Sequence, residues 1–120
     1  MKILVAEDEP ILIRTIEVRL KKDGHELCLA TDGQQAMDRM ADFVPDMVIT
    51  DIMMPYASGL EIISFTRQQE KRKIPIIILS SMGQEDVVLE AFKLGADDYI
   101  TKPFSPNELS VRVRRLLSVS

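Results

Sequence analysis

Met47-Val48-Ile49-Thr50-Asp51-Ile52-Met53-Met54-Pro55 is the stretch on which the fold turns. A short run suited to a buried strand delivers a carboxylate, and the chain then breaks toward proline. A carboxylate at the end of an apolar strand is costly unless something charged meets it. Three other runs end in a similar way. Ile3-Leu4-Val5-Ala6 stops at Glu7-Asp8-Glu9, Ile74-Pro75-Ile76-Ile77-Ile78-Leu79 delivers Ser80-Ser81, and Asp97-Asp98-Tyr99-Ile100 leads to Lys102-Pro103. Short continuous apolar runs are expected of strands buried on both faces of a parallel sheet.

The intervening segments carry helical signals. Pro10 suits a first helical turn, and Ile11, Leu12, Thr15, Ile16, Val18 and Leu20 form an expected apolar stripe closed by Lys21-Lys22 and Gly24. Glu26-Leu27-Cys28-Leu29-Ala30 reads as a second strand, and Asp32 caps a helix through Ala36, Met37 and Met40. Ser58-x-x-Glu61 is a capping box for a helix buried through Ile62, Ile63, Phe65 and Thr66. Lys71-Arg72-Lys73 then reads as a solvated helix end, where positive charge is welcome. Residues 84–94 predict another helix, stopped by Gly95. Ser105-Pro106-Asn107-Glu108 opens a last one, packed through Leu109, Val113, Leu116 and Leu117.

Five strands alternating with five helices predict an α/β domain with a parallel sheet covered on both faces. Ligands of such sheets gather beyond the carboxyl ends of the strands, near the topological switch. Glu7, Asp8, Asp51, Ser80 and Lys102 all follow strand ends, so one edge should hold them all.

Composition narrows the function classes. The 120 residues suit one domain with a real core and leave no room for two. A net charge of -4 supplies no general electrostatic reason to bind DNA or an anionic membrane. The single cysteine, Cys28, excludes an intrachain disulfide, fits a reducing compartment and reads as a small core side chain. The first apolar run breaks at Glu7-Asp8, too early for a signal peptide, and no run approaches the roughly 18 residues of a membrane span. A soluble cytoplasmic protein is expected. His25 has no ligand partners at suitable spacing and reads as an exposed turn residue.

Three carboxylates brought together repel one another unless a cation neutralises them. Carboxylate oxygens with a backbone carbonyl suit a hard cation such as Mg²⁺, for which Mn²⁺ can substitute. Asp8 and Asp51 are the expected direct ligands, Glu7 is expected to act through a water, and the Met53 carbonyl completes the set. Phosphoryl transfer requires an in-line nucleophile and neutralised equatorial oxygens. Asp51 can attack with one oxygen, Lys102 can meet a phosphoryl oxygen as a point charge, and the Ser80 hydroxyl can donate to another. The product, an acyl phosphate, is labile and suits a transient signal.

Taken together, Ile3–Glu9, Asp51–Pro55, Ile76–Ser80 and Gly95–Phe104 resemble a response-regulator receiver domain of two-component systems, over essentially the whole chain. The resemblance implies a flavodoxin-like, doubly wound (βα)5 sandwich of strand order 2-1-3-4-5. It implies Mg²⁺-dependent phosphorylation of Asp51 by a histidine kinase or a histidine phosphotransfer protein, and a cis Lys102-Pro103 bond. Residues 1–120 would form a single receiver, alone or as the amino-terminal part of a longer regulator. Such a domain is a phospho-acceptor rather than an enzyme. Glu7 stands where the family often has Asp, Ser80 replaces a frequent Thr, and Ser81 a frequent Ala.

The resemblance further implies a switch in which Ser80 moves inward on phosphorylation and Tyr99 follows, changing the surface of the fourth helix, fifth strand and fifth helix. In receivers that precede winged-helix DNA-binding domains this surface dimerises through charged pairs. Asp97, Asp98, Glu108 and Arg112 are similar to that pattern, whereas Val88 takes a place those receivers usually give to a basic residue. Met53 and Met82 flank the site and either tune water access or cover the pocket.

Other functions remain open on sequence alone. A receiver-like interaction module that is never phosphorylated would not need the intact Asp8, Asp51, Ser80 and Lys102 set. An aspartyl-phosphate phosphatase of the haloacid-dehalogenase kind wants a second Asp two residues after its nucleophile, where this chain has Met53. A flavin or nucleotide site wants a phosphate-cradling loop after the first strand, and Glu7-Asp8-Glu9 would repel phosphate without a metal.

Overall fold

The computed structural model describes residues 1–69 and 73–118. Its elements alternate as β1 (Lys2–Ala6), α1 (Pro10–Lys22), β2 (Glu26–Ala30), α2 (Gly33–Phe43), β3 (Met47–Asp51), α3 (Gly59–Gln69), β4 (Ile76–Ser80), α4 (Glu85–Leu94), β5 (Asp98–Thr101) and α5 (Pro106–Ser118). All four pairings in the sheet are parallel, and the strand order is β2-β1-β3-β4-β5. The expected doubly wound fold is therefore observed.

The period of two in each strand divides the core. Leu4, Val48, Ile76 and Ile78 face one way and pack with Ala36 and Met40 of α2, Ile62 and Ile63 of α3, and Val88 and Ala91 of α4. Ile3, Val5, Ile49, Ile77 and Leu79 face the other way, toward Ile13, Ile16 and Leu20 of α1 and Leu109 and Val113 of α5. β3 and β4 are buried along their whole length, which explains their unbroken apolar sequence.

The capping signals act as read. The Asp32 carboxylate accepts the Gln35 N–H at 2.8 Å, and the Ser105 hydroxyl accepts the Glu108 N–H at 3.1 Å. Ser58 stands weakly in the same relation to Glu61, at 3.4 Å. Gly95, at φ 120°, ends α4.

Two expectations need correction, and a third is only partly within the described residues. The buried stripe of α1 is Ile13, Ile16 and Leu20 with Leu12 beside it, while Ile11 and Val18 are 84% and 54% exposed and Thr15 bonds its hydroxyl back to the Ile11 carbonyl. His25 is half-buried beneath the end of α1, its N–H bonded to the Leu20 carbonyl, and is no open turn residue. The basic run Lys71-Arg72-Lys73 lies outside the described residues except for Lys73, whose ammonium stands 3.5 Å from Asp97.

Candidate functional site

The sheet register brings the strand ends to one level. Ala6 pairs with Thr50, Asp51 with Leu79, and Ser80 with Thr101. Glu7 and Lys102, each one residue beyond its strand, thus meet Asp51 and Ser80 at a common edge.

Lys102 Nζ lies 2.9 Å from Asp51 Oδ2 and 3.0 Å from Glu7 Oε1. Asp51 is 6% exposed and Glu7 is wholly buried, while Asp8 sits exposed at the rim. Ligand oxygens of Glu7, Asp8 and Asp51 lie within 4.8 Å of one another. The Met53 N–H points at Asp51 Oδ1 from 3.4 Å.

Burial and charge pull against each other here. Burial pushes the Glu7 carboxyl from its ordinary 4.5 up to about 7, against hydrogen bonds from the Glu9 N–H and Lys102 that draw it down. Burial also pulls the Lys102 ammonium down, but its bonds to Asp51 and Glu7 outweigh that and hold it above the usual lysine range. Glu7 Oε2 accepts the Glu9 N–H at 3.0 Å, and buried Glu7 Oε1 faces the Lys102 ammonium at 3.0 Å. One ammonium does not neutralise three clustered carboxylates, and the negative charge left over is what a hard, oxygen-seeking divalent cation would satisfy.

The backbone holds this edge in place. Lys102 N–H donates to the Ser80 carbonyl at 2.6 Å, and the Lys102-Pro103 peptide is cis, as the resemblance implied. Ser80 is buried at the end of β4. Tyr99 stands apart from the site, on β5 three residues before Lys102, with its ring half-exposed and edge-on to Phe92 at 5.9 Å.

Two supporting residues escaped the sequence reading. The buried Thr50 hydroxyl bonds the Asp51 carbonyl at 2.9 Å, and a lone hydroxyl in an apolar strand does not advertise that role. Gly59 lets α3 begin directly against β3: a Cβ there would stand 2.4 Å from the Asp51 carbonyl oxygen and 2.8 Å from Ile52 Cα. Its signal was a glycine just after a capping serine, which reads equally well as an ordinary loop end.

The charges once aligned with dimer pairs are satisfied within the chain. Asp98 receives Arg112 at 2.9 Å and Arg115 at 2.9 Å, and Arg112 also reaches Glu108 at 3.3 Å. Asp97 points elsewhere and binds Arg67 at 3.0 Å. Val88, noted for lacking the usual charge, is buried in the core.

A doubly wound sheet with clustered carboxylates and one lysine at its carboxyl edge defines a receiver-type signalling domain. The chain belongs to the response regulator receiver domain family, whose model matches residues 3–114. It is 37% identical over 116 residues to the alkaline phosphatase synthesis transcriptional regulatory protein PhoP of Bacillus subtilis, a match covering 97% of this chain and 48% of that protein. It is 40% identical to the phosphate regulon transcriptional regulatory protein PhoB of Pseudomonas aeruginosa over 96% of this chain and 51% of the relative. The receiver domain of Francisella response regulator 1452 superposes with a TM-score of 0.87 at 35% identity, over 98% of this chain and 96% of that one. The chain thus spans about half the length of the curated relatives it matches.

Proposed function

We propose that residues 1–120 act as one receiver unit in which Asp51 accepts a phosphoryl group from a phosphohistidine on a sensor kinase or a phosphotransfer protein. The observation that carries this reading is the contact of Lys102 with both Asp51 and Glu7 beside three clustered carboxylates. In the transfer, an Asp51 carboxylate oxygen attacks phosphorus in line as the bond from phosphorus to the imidazole nitrogen breaks, leaving an acyl phosphate. Lys102 shifts from the free carboxylate to a phosphoryl oxygen, and the Ser80 hydroxyl donates to another. Asp8, Asp51 and the Met53 carbonyl would hold Mg²⁺, with Glu7 acting through a water. When bound, the cation neutralises the carboxylates and the incoming phosphoryl oxygens.

Tyr99 would report the change. With Ser80 drawn toward the phosphoryl group, the tyrosine ring leaves its outward, edge-on contact with Phe92, shifting the population of the α4-β5-α5 face. Leu89, Val111 and Phe92 are exposed on these helices and would suit a second copy of the chain. The relatives' names favour output through transcription, and hence work in the cytoplasm. No helix among the described residues is long and apolar enough to cross a membrane.

The test is intact-mass measurement after incubation with Mg²⁺ and a small acyl-phosphate donor. One added phosphoryl group is expected, and none in Asp51→Asn or without divalent cation. Absence of the adduct overturns the assignment and leaves the unphosphorylated interaction module, and its persistence in Asp51→Asn overturns it by putting the phosphoryl group on another residue.

A further inference from the structure

At the opposite end of the sheet from Asp51, a cleft of about 450 Å³ opens between the end of α1, the start of β1 and the outer half of α5. Arg19 and Asp23 line it from α1, His25 from the turn into β2, Ser110 and Arg114 from α5, and Met1 from the chain start. Among the described residues its one carboxylate, that of Asp23, is already committed. Asp23 accepts a hydrogen bond from the Ser110 hydroxyl and stands 3.4 Å from Arg19 Nε, so its charge is held at the wall. Two guanidinium groups and an α-amino group leave the cleft with excess positive charge.

We infer that this cleft binds a small tetrahedral oxyanion of the phosphate and sulfate class, held between Arg19 of α1 and Arg114 of α5 with His25 at its floor. Guanidinium forks suit such an anion because their N–H groups meet two oxygens at once. The floor supplies a second, independent observation. His25 Nδ1 is shut off from bulk solvent and has no hydrogen-bond partner among the described residues. Buried polar atoms left in this way mark a place where a partner fits. The local field agrees: burial first, and the α-amino charge next, lower the His25 pKa against the opposing pull of Asp23.

An anion would reverse that field. Protonated His25 adds an Nδ1–H donor, so affinity for the anion rises as pH falls through the histidine range, and bound anion raises the His25 pKa by the same linkage. The groups facing His25 are the Met1 α-amino group, Arg19 and Asp23 of α1, and Arg114 of α5.

His25 is the chain's single histidine, so its imidazole signal is unambiguous in a proton NMR spectrum. The full chain is titrated with sodium sulfate, a dianion whose charge is constant from pH 5 to 8, against sodium chloride at matched ionic strength. The expected result is a saturable shift of the His25 signal with sulfate only, and a raised His25 pKa at saturation. Exposed Arg114→Gln should weaken the sulfate affinity on the order of fivefold, by loss of one ion pair. Asp51→Asn should leave it unchanged, which separates this site from the phosphoryl acceptor. A linear shift equal to that with chloride, or equal affinity in Arg114→Gln, overturns the inference.

Discussion

Glu7→Gln turns the buried triad into a measurable pH effect. A carboxyl whose folded-state pKa exceeds its unfolded value holds its proton more tightly when folded. Its contribution to stability is therefore full below 4.5 and is lost as pH rises through about 7. The interval between those values, at about 1.4 kcal/mol per pH unit, amounts to roughly 3 kcal/mol. Glutamine resembles the protonated side chain in shape and cannot ionise, and Lys102 retains its 2.9 Å contact with Asp51. Glu7→Gln should therefore match the parent near pH 5 and exceed its stability by roughly 3 kcal/mol at pH 8. For a domain of this size that is on the order of 10 °C in Tm. The assay is thermal unfolding followed by circular dichroism from pH 5 to 8 in EDTA, repeated with Mg²⁺. The cation should raise the parent's Tm at pH 8 and narrow the gap, because it neutralises the charge that the substitution removes. A stability difference that is independent of pH, or a variant less stable than the parent at pH 8, would refute the electrostatic account.

Other perturbations test the scaffold. Gly59→Ala must push α3 away from the Asp51 carbonyl, so it should cost about 2 kcal/mol in urea unfolding and also slow phosphoryl uptake by intact mass. Arg67→Ala removes donors to the Ile74 carbonyl at 2.8 Å, the Gly95 carbonyl at 2.6 Å and Asp97 at 3.0 Å; a loss of about 3 kcal/mol is expected in the same assay. His25, whose pKa is lowered in the fold, takes up its proton more readily when unfolded. In low-anion buffer, the stability of His25→Gln relative to the parent should therefore rise as pH drops below 6.5, since the Glu7 contribution is common to both.

The site was legible because apolar strands must end somewhere, and in this chain four of them end in groups that cannot stay buried alone. Topology then does the assembly: parallel strands share one carboxyl edge, so Glu7, Asp51 and Lys102 meet although 95 residues separate the first from the last. Side-chain pairing between elements was less legible. Asp97 and Asp98 are neighbours in sequence but alternate across the strand, so one reaches Arg67 on α3 and the other Arg112 and Arg115 on α5. Nothing local distinguishes these fates. The face of α1 was misread for a related reason: Ile11 and Val18 are apolar, but the sheet receives Ile13, Ile16 and Leu20, and helix rotation is set by what lies beneath.

Arg67 gives the edge strand a mechanical character. Its guanidinium, together with the Ile76 N–H bond to Asp97 at 2.8 Å, fastens the entry to β5 onto α3, the approach to β4 and the end of α4. The other end of the strand carries Lys102. A strand riveted at one end and pulled at the other would swing like a hinged arm instead of sliding along its neighbour. If the proposed transfer draws Lys102 inward, the displacement would be largest at the lysine, smaller where Tyr99 sits, and least at the rivet.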